Sequence, residues 1–530
     1  MIFKRLTAFT LSVALMSGVL AGCGSNGDKA NESSGAATST AANIAAAVST
    51  GTKLEEVTLK MLVPDTKSPK YDETKALVEE KIKDTINAKI DVTLVSWGDI
   101  GNKTQLALAA GDNIDLIFDA PWLHMNQMIA AGYYEELTDL VNKYGQDILK
   151  TRSKNMMEAN MFDGKLMGIP NGNSMVQPHG YNIRKDLREK LGMSPITTYD
   201  ELEKYLYAVK EKFPDIIPAW ADGAPGNSQY TWAGWRANDD AETNIRYTDA
   251  FSANLMLYYK GNDGKVYNLF ETNEPKVMSW IENARKLFKD KVLDNDLAAK
   301  KDQWADYQAG KVACQPVRSF EIHYDFNDKC KAATGGEYEP VTLMDFTPGK
   351  IILNLKQDNF ICIPKISKNK ERAMMFLNWC QENEENYYLA SQGVEGEKGS
   401  YRFVGEDRIE SITANQSGGL APDFDFIKNP AFVKYNTKAS EESVKKLKFI
   451  QNGDNFIKGA EAGFTFNSEP VKNEIAQFNA IAAKYYSVIF NGMVDTDEYM
   501  AKFKKEGGDV LKKVQDELQK QLDAHVAKSK

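Results

Sequence analysis

Short apolar segments alternate with amphipathic ones in the first part of this chain, and this alternation is what most constrains its fold. Residues 57–63 (VTLKMLV), 90–95 and 114–118 have the composition of buried strands, whereas residues 71–86 and 100–110 have the periodicity of helices. Parallel strands joined by helices form right-handed βαβ units in nearly all proteins. The pattern therefore predicts a mainly parallel sheet with helices on both faces, and hence an α/β lobe.

The same alternation continues later in the chain and predicts a second lobe. Thr198 and the acidic residues after it mark the start of a helix at 201–213, which Pro214 ends. The other predicted elements are helices at 275–289, 302–309 and 371–381 and strands at 312–317 and 360–364. A chain of 530 residues also exceeds what a single core accommodates. We therefore expect a second α/β lobe, with the chain returning to the first near residue 360.

The N-terminus has the features of an export signal. Lys4 and Arg5 precede a mostly apolar stretch at 6–19, and Leu-Ala-Gly then leads into Cys23. This arrangement resembles a bacterial lipobox, in which the cysteine is lipidated and becomes the first residue of the mature chain. Residues 1–22 are then a signal peptide, and Cys23 anchors the protein to the extracytoplasmic face of the cell membrane. A plain secretory signal that contains a cysteine is the alternative, and it also implies export.

The segment after Cys23 is small, polar and alanine-rich, with no aromatic residue between positions 24 and 53. It buries too little apolar surface to offset the entropy of ordering, so residues 23–53 are predicted to be a flexible linker. No later run reaches the about 20 apolar residues of a membrane helix. The net charge of −9 argues against nucleic acid as a partner.

Four cysteines follow Cys23: Cys314, Cys330, Cys362 and Cys380. An even number in an exported chain permits one or two disulfides, with three connectivities possible. Buried free thiols at Cys362 and Cys380 are an equally favoured alternative. No cysteine or histidine spacing matches a zinc site, so we expect no metal ion, and no motif predicts a cofactor.

Four short motifs stand in order behind the lipobox. They are residues 110–117 (AGDNIDLI), 163–170 (DGKLMGIP), 181–187 (YNIRKDL) and 310–313 (GKVA). In this order they resemble the signatures of the family 1 extracellular solute-binding proteins of ABC importers. Residues 386–396 and 463–471, with the helical tail to His525, further resemble the lipoprotein subgroup that has an additional C-terminal domain of unknown function.

The resemblance implies a two-lobed, periplasmic-binding-protein-like α/β fold of class II, with hinge crossovers and a helical C-terminal extension. Residues 54–170 and about 360–399 then form the first lobe, residues 171–359 and about 400–460 the second, and residues 461–530 the extension. Phe464, Phe466 and Phe478 are expected in a core. The resemblance also implies a monomeric binding protein, not an enzyme, that delivers its solute to the transmembrane subunits of an ABC permease.

A carbohydrate, and specifically an oligosaccharide, is the solute that the motifs favour. Flat aromatic faces pack on the C–H surfaces of sugars, while carboxylates and arginines hydrogen-bond to the hydroxyl groups. Loops at the carboxyl ends of strands are where such residues gather. The predicted ligand-binding residues are Trp97, Asp99, Asp119, Trp122, Trp232, Trp235 and Arg318. For each tryptophan, ordinary packing against a loop is the alternative.

Two other functions are compatible with the sequence. A glycoside hydrolase needs only two carboxylates, whose separation in space cannot be read from their spacing in the chain. Against it, no carboxylate in the strand-end loops stands out from a chain that is 26% charged. A peptide-binding receptor of similar architecture is the second alternative. The tryptophans favour a sugar over the backbone pairing that an extended peptide requires.

Overall fold

A computed structural model provides the structure of this chain. It describes residues 54–152, 154–162, 164–171, 176, 179–221, 231–237, 244–248, 250, 253, 255–294, 296, 303–354, 356–412, 418–421 and 428–529. Residues 55–530 form one compact unit. The predicted signal peptide, Cys23 and the linker lie outside the described residues.

The strands are short, and they belong to several sheets. In chain order they are β1 (Val57–Pro64), β2 (Ala88–Val95), β3 (Leu116–Asp119), β4 (Ile169–Pro170), β5 (Gly180–Arg184), β6 (Ile245–Tyr247), β7 (Leu257–Lys260), β8 (Tyr267–Asn268), β9 (Cys314–Val317), β10 (Tyr338–Val341), β11 (Ile352–Leu353), β12 (Phe360–Cys362), β13 (Tyr401–Val404), β14 (Arg408–Ser411), β15 (Tyr435–Asn436) and β16 (Ile457–Lys458).

The helices range from single turns to the long C-terminal helix. They are α1 (Tyr71–Ile82), α2 (Ile100–Ala110), α3 (Met125–Ala130), α4 (Thr138–Tyr144), α5 (Gln146–Thr151), α6 (Lys154–Ala159), α7 (Lys185–Lys190), α8 (Tyr199–Lys212), α9 (Trp232–Ala237), α10 (Leu269–Thr272), α11 (Pro275–Lys289), α12 (Gln303–Gln308), α13 (Tyr324–Thr334), α14 (Lys370–Glu382), α15 (Glu384–Gln392), α16 (Glu441–Gln451), α17 (Lys472–Phe490) and α18 (Thr496–Ser529). Short 3₁₀ turns lie at Pro430–Phe432, Gly453–Asn455 and Glu469–Val471.

The first sheet has the strand order β2-β1-β3-β12-β4. β1 pairs in parallel with β2 and with β3, whereas β12 is antiparallel to both β3 and β4. Four of its five strands therefore run in one direction, which confirms the mainly parallel sheet predicted from the sequence. The reversed strand β12 is the segment near residue 360 that returns to this lobe.

The core of the first lobe joins segments that are far apart in the chain. β1 is an inner strand: Leu59, Met61 and Val63 on one face are each at most 1% exposed, and Leu62 on the other face is 5% exposed. This core groups residues from 59 to 169 with residues from 360 to 390 and with Leu420 and Ala421. The helix after β12 therefore packs with elements encoded more than 200 residues earlier.

The second lobe contains a smaller sheet of similar design. β5 lies between β9 and β10 and is antiparallel to both. Two isolated parallel bridges, from Ile217 to Val312 and from Ala219 to Leu293, extend this sheet on the β9 side. The second lobe is thus also an α/β unit in which one strand is reversed. Both sheets together form the two-lobed α/β fold of class II that the sequence predicts.

The C-terminal helices α17 and α18 are part of the second core. Phe478 stacks on Phe503 with ring centroids 5.6 Å apart, and Phe270 meets Phe503 edge-on at 4.9 Å. Phe464, Phe466 and Phe478 are at most 7% exposed, which confirms their predicted core position. This core groups residues from 181 to 341 with residues from 464 to 522. The extension therefore stabilises the second lobe through shared apolar burial.

The predicted start of α8 is confirmed by a capping box. The Thr198 hydroxyl oxygen accepts a hydrogen bond from the Glu201 N–H at 3.3 Å, and the Glu201 carboxylate accepts one from the Thr198 N–H at 3.1 Å. Each bond satisfies a backbone donor that the helix itself leaves without a partner. α11 likewise begins at Pro275, the residue at which the sequence predicts it to begin.

The four cysteines of the described residues are free and buried. The sequence leaves open whether these cysteines form disulfides or stay as free thiols, and the structure has free thiols. Burial raises the pKa of Cys314, Cys362 and Cys380, which keeps these thiols protonated and unreactive. Among the described helices, none is long and apolar enough to cross a membrane.

Candidate functional site

One edge of the first sheet collects the ends of several strands. The carboxyl ends of β1, β2, β3 and β4 lie at this edge, and β12 begins there, because Phe360 pairs with both Asp119 and Pro170. The chain leaves the first sheet after β4 and re-enters it before β12. We call this the crossover edge. It consists of residues 96–99, 119–124, 171 and 359.

Trp97 and Trp122 present aromatic surface at the crossover edge. Their exposed fractions are 42% and 51%, whereas Phe118, which both rings contact, is fully buried. The Trp97 ring meets Phe118 edge-on with centroids 5.5 Å apart, and the Trp122 ring lies 6.5 Å from it at a tilt of 59°. Large exposed apolar side chains that cluster at the carboxyl ends of parallel strands are typical of a ligand-binding surface.

Close packing against α2 holds the loop that carries Trp122. A Cβ atom at Gly101 would lie 3.1 Å from Leu123 Cδ2 and 3.4 Å from His124 Cδ2, so the loop approaches the helix closely enough that any larger residue would press on these side chains. The Leu123 N–H also donates to the Ala120 carbonyl oxygen at 2.9 Å. The backbone beneath Trp122 is therefore held in place before any ligand arrives.

Asp119 ends β3 beneath this loop and is fully buried. Its carboxylate accepts hydrogen bonds from the Tyr134 hydroxyl at 2.5 Å and from the Ala120 N–H at 2.7 Å. Burial raises the pKa of Asp119 to about 6, although both hydrogen bonds favour the ionised form. In this conformation Asp119 supports the loop that carries Trp122 and offers no surface of its own to a ligand.

Asp99 is exposed and stands directly before α2. The Ser96 hydroxyl donates to Asp99 Oδ2 at 2.7 Å, which closes the turn that carries Trp97. A carboxylate oxygen accepts more than one hydrogen bond, so Asp99 retains capacity for a donor group of a ligand. The structure therefore brings Trp97, Asp99 and Trp122 together at one edge, as their positions after predicted strands suggest.

Arg318 is exposed and directly follows β9 in the second lobe. It lies at the end of the second sheet where β5 begins, because Val317 pairs with Gly180. The chain enters this sheet at Gly180, where a Cβ atom would lie only 2.7 Å from the Ser319 carbonyl oxygen. Arg318 therefore lies on the side of the second lobe at which the crossover arrives.

Trp232 and Trp235 have different surroundings from the tryptophans at the crossover edge. They are 2% and 0% exposed and belong to the second core. The Trp232 ring lies 5.9 Å from that of Tyr181, and the Trp235 ring lies 4.9 Å from that of His179. Both have the packing role that the sequence leaves as the alternative, so in this conformation they offer no face to a ligand.

Three polar residues near the crossover edge are not predicted by any pattern in the sequence. Asn359 Oδ1 accepts a hydrogen bond from the Trp122 indole N–H at 3.1 Å. The Asn171 N–H donates to the Asn359 carbonyl oxygen at 2.9 Å. Arg152 is 5% exposed and donates through Nε to the Pro170 carbonyl oxygen at 3.2 Å. The one signal for Asn359 is that a strand is predicted to start directly after it.

The crossover edge combines aromatic faces with an exposed carboxylate, and the second lobe adds a guanidinium. Aromatic faces can stack on flat apolar surfaces of a ligand, and a carboxylate and a guanidinium can hydrogen-bond to its polar groups. Among the residues that the structure describes, no group of three or more His, Cys, Asp or Glu side chains is arranged to hold a metal ion.

Comparison with known proteins shows the family to which this sequence is similar. A family model described as bacterial extracellular solute-binding protein matches residues 76–394, and a model of a domain of unknown function, DUF3502, matches residues 461–527. A carbohydrate ABC transporter substrate-binding protein of Streptococcus pneumoniae serotype 4 (strain ATCC BAA-334 / TIGR4) is 25% identical over 479 residues. The aligned region covers 89% of this chain and 91% of that relative.

Solved structures of similar fold cover the same share of the chain. The N-glycan transport solute-binding protein NgtS of Streptococcus pneumoniae has a TM-score of 0.71 at 22% identity, over 89% of this chain and 100% of NgtS. An HMO-binding, ABC-transporter-associated solute-binding protein of Bifidobacterium longum infantis ATCC 15697 has a TM-score of 0.66 at 17% identity, over 89% and 100%. The family match spans more than half of the sequence. This chain therefore belongs to the bacterial extracellular solute-binding protein family.

Proposed function

We propose that this protein captures an oligosaccharide outside the cell and delivers it to the transmembrane subunits of an ABC permease. The observation that carries the proposal is the pair of half-exposed tryptophans, Trp97 and Trp122, at the crossover edge of a two-lobed fold. Indole faces match the C–H surfaces of sugar rings. Asp99 beside Trp97 and Arg318 on the second lobe supply hydrogen-bond partners for hydroxyl groups.

The relatives support a carbohydrate as the solute. The Streptococcus pneumoniae relative is named for carbohydrate transport, and NgtS has been crystallised with Man1GlcNAc and with Man5GlcNAc. The similar FusA of the same species, with a TM-score of 0.60 and 18% identity, has been crystallised with kestose. These ligands are all short glycans, so the same class is proposed here.

Closure of the two lobes would turn binding into a signal for the permease. A ligand that contacts Trp122 on the first lobe and Arg318 on the second makes contacts in the closed state that it lacks in the open one. It therefore shifts the population toward the closed state in proportion to this difference in affinity. The protein acts as a monomer in this proposal, and it binds and releases the solute without changing it.

Export and anchoring belong to the same proposal. Cys23 would carry the lipid, and the linker of residues 23–53 would connect it to the folded body on the extracytoplasmic face of the membrane. Growth with an alkyne-tagged palmitate tests this. We expect the wild type to be labelled and to sediment with membranes, and Cys23→Ser to be unlabelled. Labelling of Cys23→Ser, or an unlabelled wild type in the medium, would contradict the anchor.

Titration calorimetry on the fragment of residues 54–530 tests the solute class. The panel contains Man5GlcNAc, Man1GlcNAc, kestose and an unrelated pentapeptide. A glycan that binds only the folded state raises its stability by about 2.7 kcal/mol at a hundredfold excess over Kd, which a thermal melt detects. Mass spectrometry of the recovered glycan checks that it is intact. Binding of the peptide alone, or cleavage of a glycan, would replace this proposal by a peptide receptor or a glycoside hydrolase.

A further inference from the structure

We propose that Asn359 is a positioning residue, which ties the indole of Trp122 to the interlobe crossover and so couples the orientation of this ring to the hinge. The role of Trp122 in ligand binding rests on the proposed function. The hydrogen bond between the Trp122 indole and Asn359, which we call the tether, is present in the protein without ligand. Asn359 would not touch the solute. It would act through the ring that does.

The first step of the argument is the bond between the two side chains. The Trp122 Nε1–H donates to Asn359 Oδ1 at 3.1 Å, across 237 positions of the sequence. An indole that is 51% exposed has few packing contacts to hold it, so a directional bond restricts its two side-chain torsions. A ring held in one orientation loses less entropy when a ligand stacks on it.

The second step is that the acceptor is itself fixed by the sheet. Asn359 directly precedes Phe360, which pairs with Asp119 on one side and with Pro170 on the other. Its carbonyl oxygen accepts from the Asn171 N–H at 2.9 Å. The position of the Asn359 side chain is therefore set by the strand at which the chain re-enters the first lobe.

The third step connects Asn359, through Asn171, to Lys428 and Arg152. The Lys428 N–H donates to the Asn171 carbonyl oxygen at 3.0 Å and to Asn171 Oδ1 at 3.1 Å. Arg152 then donates through Nη2 to the Lys428 carbonyl oxygen at 2.7 Å and through Nε to the Pro170 carbonyl oxygen at 3.2 Å. A continuous chain of hydrogen bonds thus runs from the Trp122 ring to a buried guanidinium at the base of the crossover.

This chain has a mechanical consequence. The chain leaves the first sheet at Asn171 and re-enters it at Asn359, so a rotation of the lobes about the crossovers changes backbone torsions in the segments that directly adjoin these two residues. A displacement that these segments transmit to Asn359 would reach the Trp122 ring through the hydrogen bond between the two side chains. Stacking of a sugar on Trp122 and lobe closure therefore act on the same small group of residues.

Indole N–H resonances in the 15N–1H NMR spectrum of ligand-free residues 54–530 test the tether directly. The indole N–H signal that disappears in Trp122→Phe is the signal of Trp122. In the wild type and in Asn359→Asp, whose carboxylate still accepts the bond, we expect slow exchange of this proton with water. In Asn359→Ala the signal should shift and exchange at least tenfold faster. Asn142→Ala, at an exposed asparagine on α4, is the matched control and should leave the signal unchanged.

The second arm measures coupling to binding with Man5GlcNAc as the probe. Asn359→Ala is expected to weaken binding about fivefold and Asn359→Asp less than twofold, while Trp122→Phe combined with Asn359→Ala should be no weaker than Trp122→Phe alone. If the wild type binds no glycan, the proposed function is wrong, but the NMR experiment still shows whether Asn359 holds the Trp122 indole. An unchanged Trp122 signal in Asn359→Ala, or additive losses in the double variant, would overturn the positioning role.

Discussion

Two pairs of tryptophans in this protein share their chemistry but differ in their surroundings. Trp97 and Trp122 follow the ends of parallel strands at the crossover edge and are about half exposed, whereas Trp232 and Trp235 lie on the short helix α9 and are buried in the second core. All four residues are of one type, so their different exposure comes from where they lie. The exposed pair directly follows strand ends, and the buried pair lies on a helix inside a core.

The largest expected effect tests this contrast through stability. Trp235→Ala removes a fully buried ring and leaves a cavity in the second core, so we expect the free energy of unfolding to fall by about 3–5 kcal/mol. Trp122→Ala should lower it by less than about 1 kcal/mol, because half of that ring is already in water. Urea denaturation of residues 54–530 measures both. Equal losses at the two positions would remove the distinction between the pairs.

The next effect concerns the buried acid beneath Trp122. The pKa of Asp119 is raised by burial from 3.8 to about 6, so its contribution to stability is fully present below pH 3.8 and is lost as the pH rises through 6. Asp119→Asn cannot ionise. Relative to the wild type it should therefore gain about 2.4 kcal/mol in unfolding free energy between pH 4 and pH 7.

Urea denaturation at several pH values across this interval provides the measurement for Asp119. The matched control is Asp99→Asn, because Asp99 is an exposed acid at the same edge and its replacement removes no buried charge. A stability difference between Asp119→Asn and the wild type that stays constant with pH would show that Asp119 is not held in a desolvated state.

The third effect separates the exposed pair from the buried one through affinity. Trp122→Ala should weaken binding of the best glycan in the panel by about 2 kcal/mol, or roughly 30-fold in Kd, because a stacking face at the centre of an interface contributes energy of this order. Trp97→Ala should have a similar effect. Calorimetry measures both, with Asn142→Ala as the control. An unchanged Kd in both tryptophan variants would place the ligand elsewhere than at the crossover edge.

Several elements of both lobes could be predicted because their signals are local. β1, α2 and α11 have the apolar pattern, the terminating glycine or the initial proline that their positions require, and the structure places them within a residue or so of the predicted bounds. α1 ends at Ile82, four residues earlier than predicted, because Asn87 has a φ of +50° and its N–H donates back to the Ile82 carbonyl oxygen. A turn of this kind is decided by one residue and leaves no periodic signal.

The surroundings of the candidate site could be predicted only in part. The positions of Trp97 and Trp122 directly after strands predict their place at the crossover edge. The burial of Trp232 and Trp235, in contrast, depends on contacts with Tyr181 and with the C-terminal helices, which are distant in sequence. The bond between Trp122 and Asn359 spans 237 positions and is set by the register of β12 with β3. Spacing along the chain contains no information on such pairs.

The smallest effect concerns the second lobe. Arg318 follows β9 on the crossover side and is exposed, so Arg318→Ala should leave the free energy of unfolding nearly unchanged. If Arg318 hydrogen-bonds to a sugar only after the lobes close, its loss should weaken binding about fivefold, or by about 1 kcal/mol, and reduce the closure seen by small-angle scattering at saturating glycan. Arg318→Lys should recover part of both. A fivefold loss with full closure would show that Arg318 binds the ligand in the open state as well. In that case Trp122 and Arg318 would not act as opposite faces of a closing site.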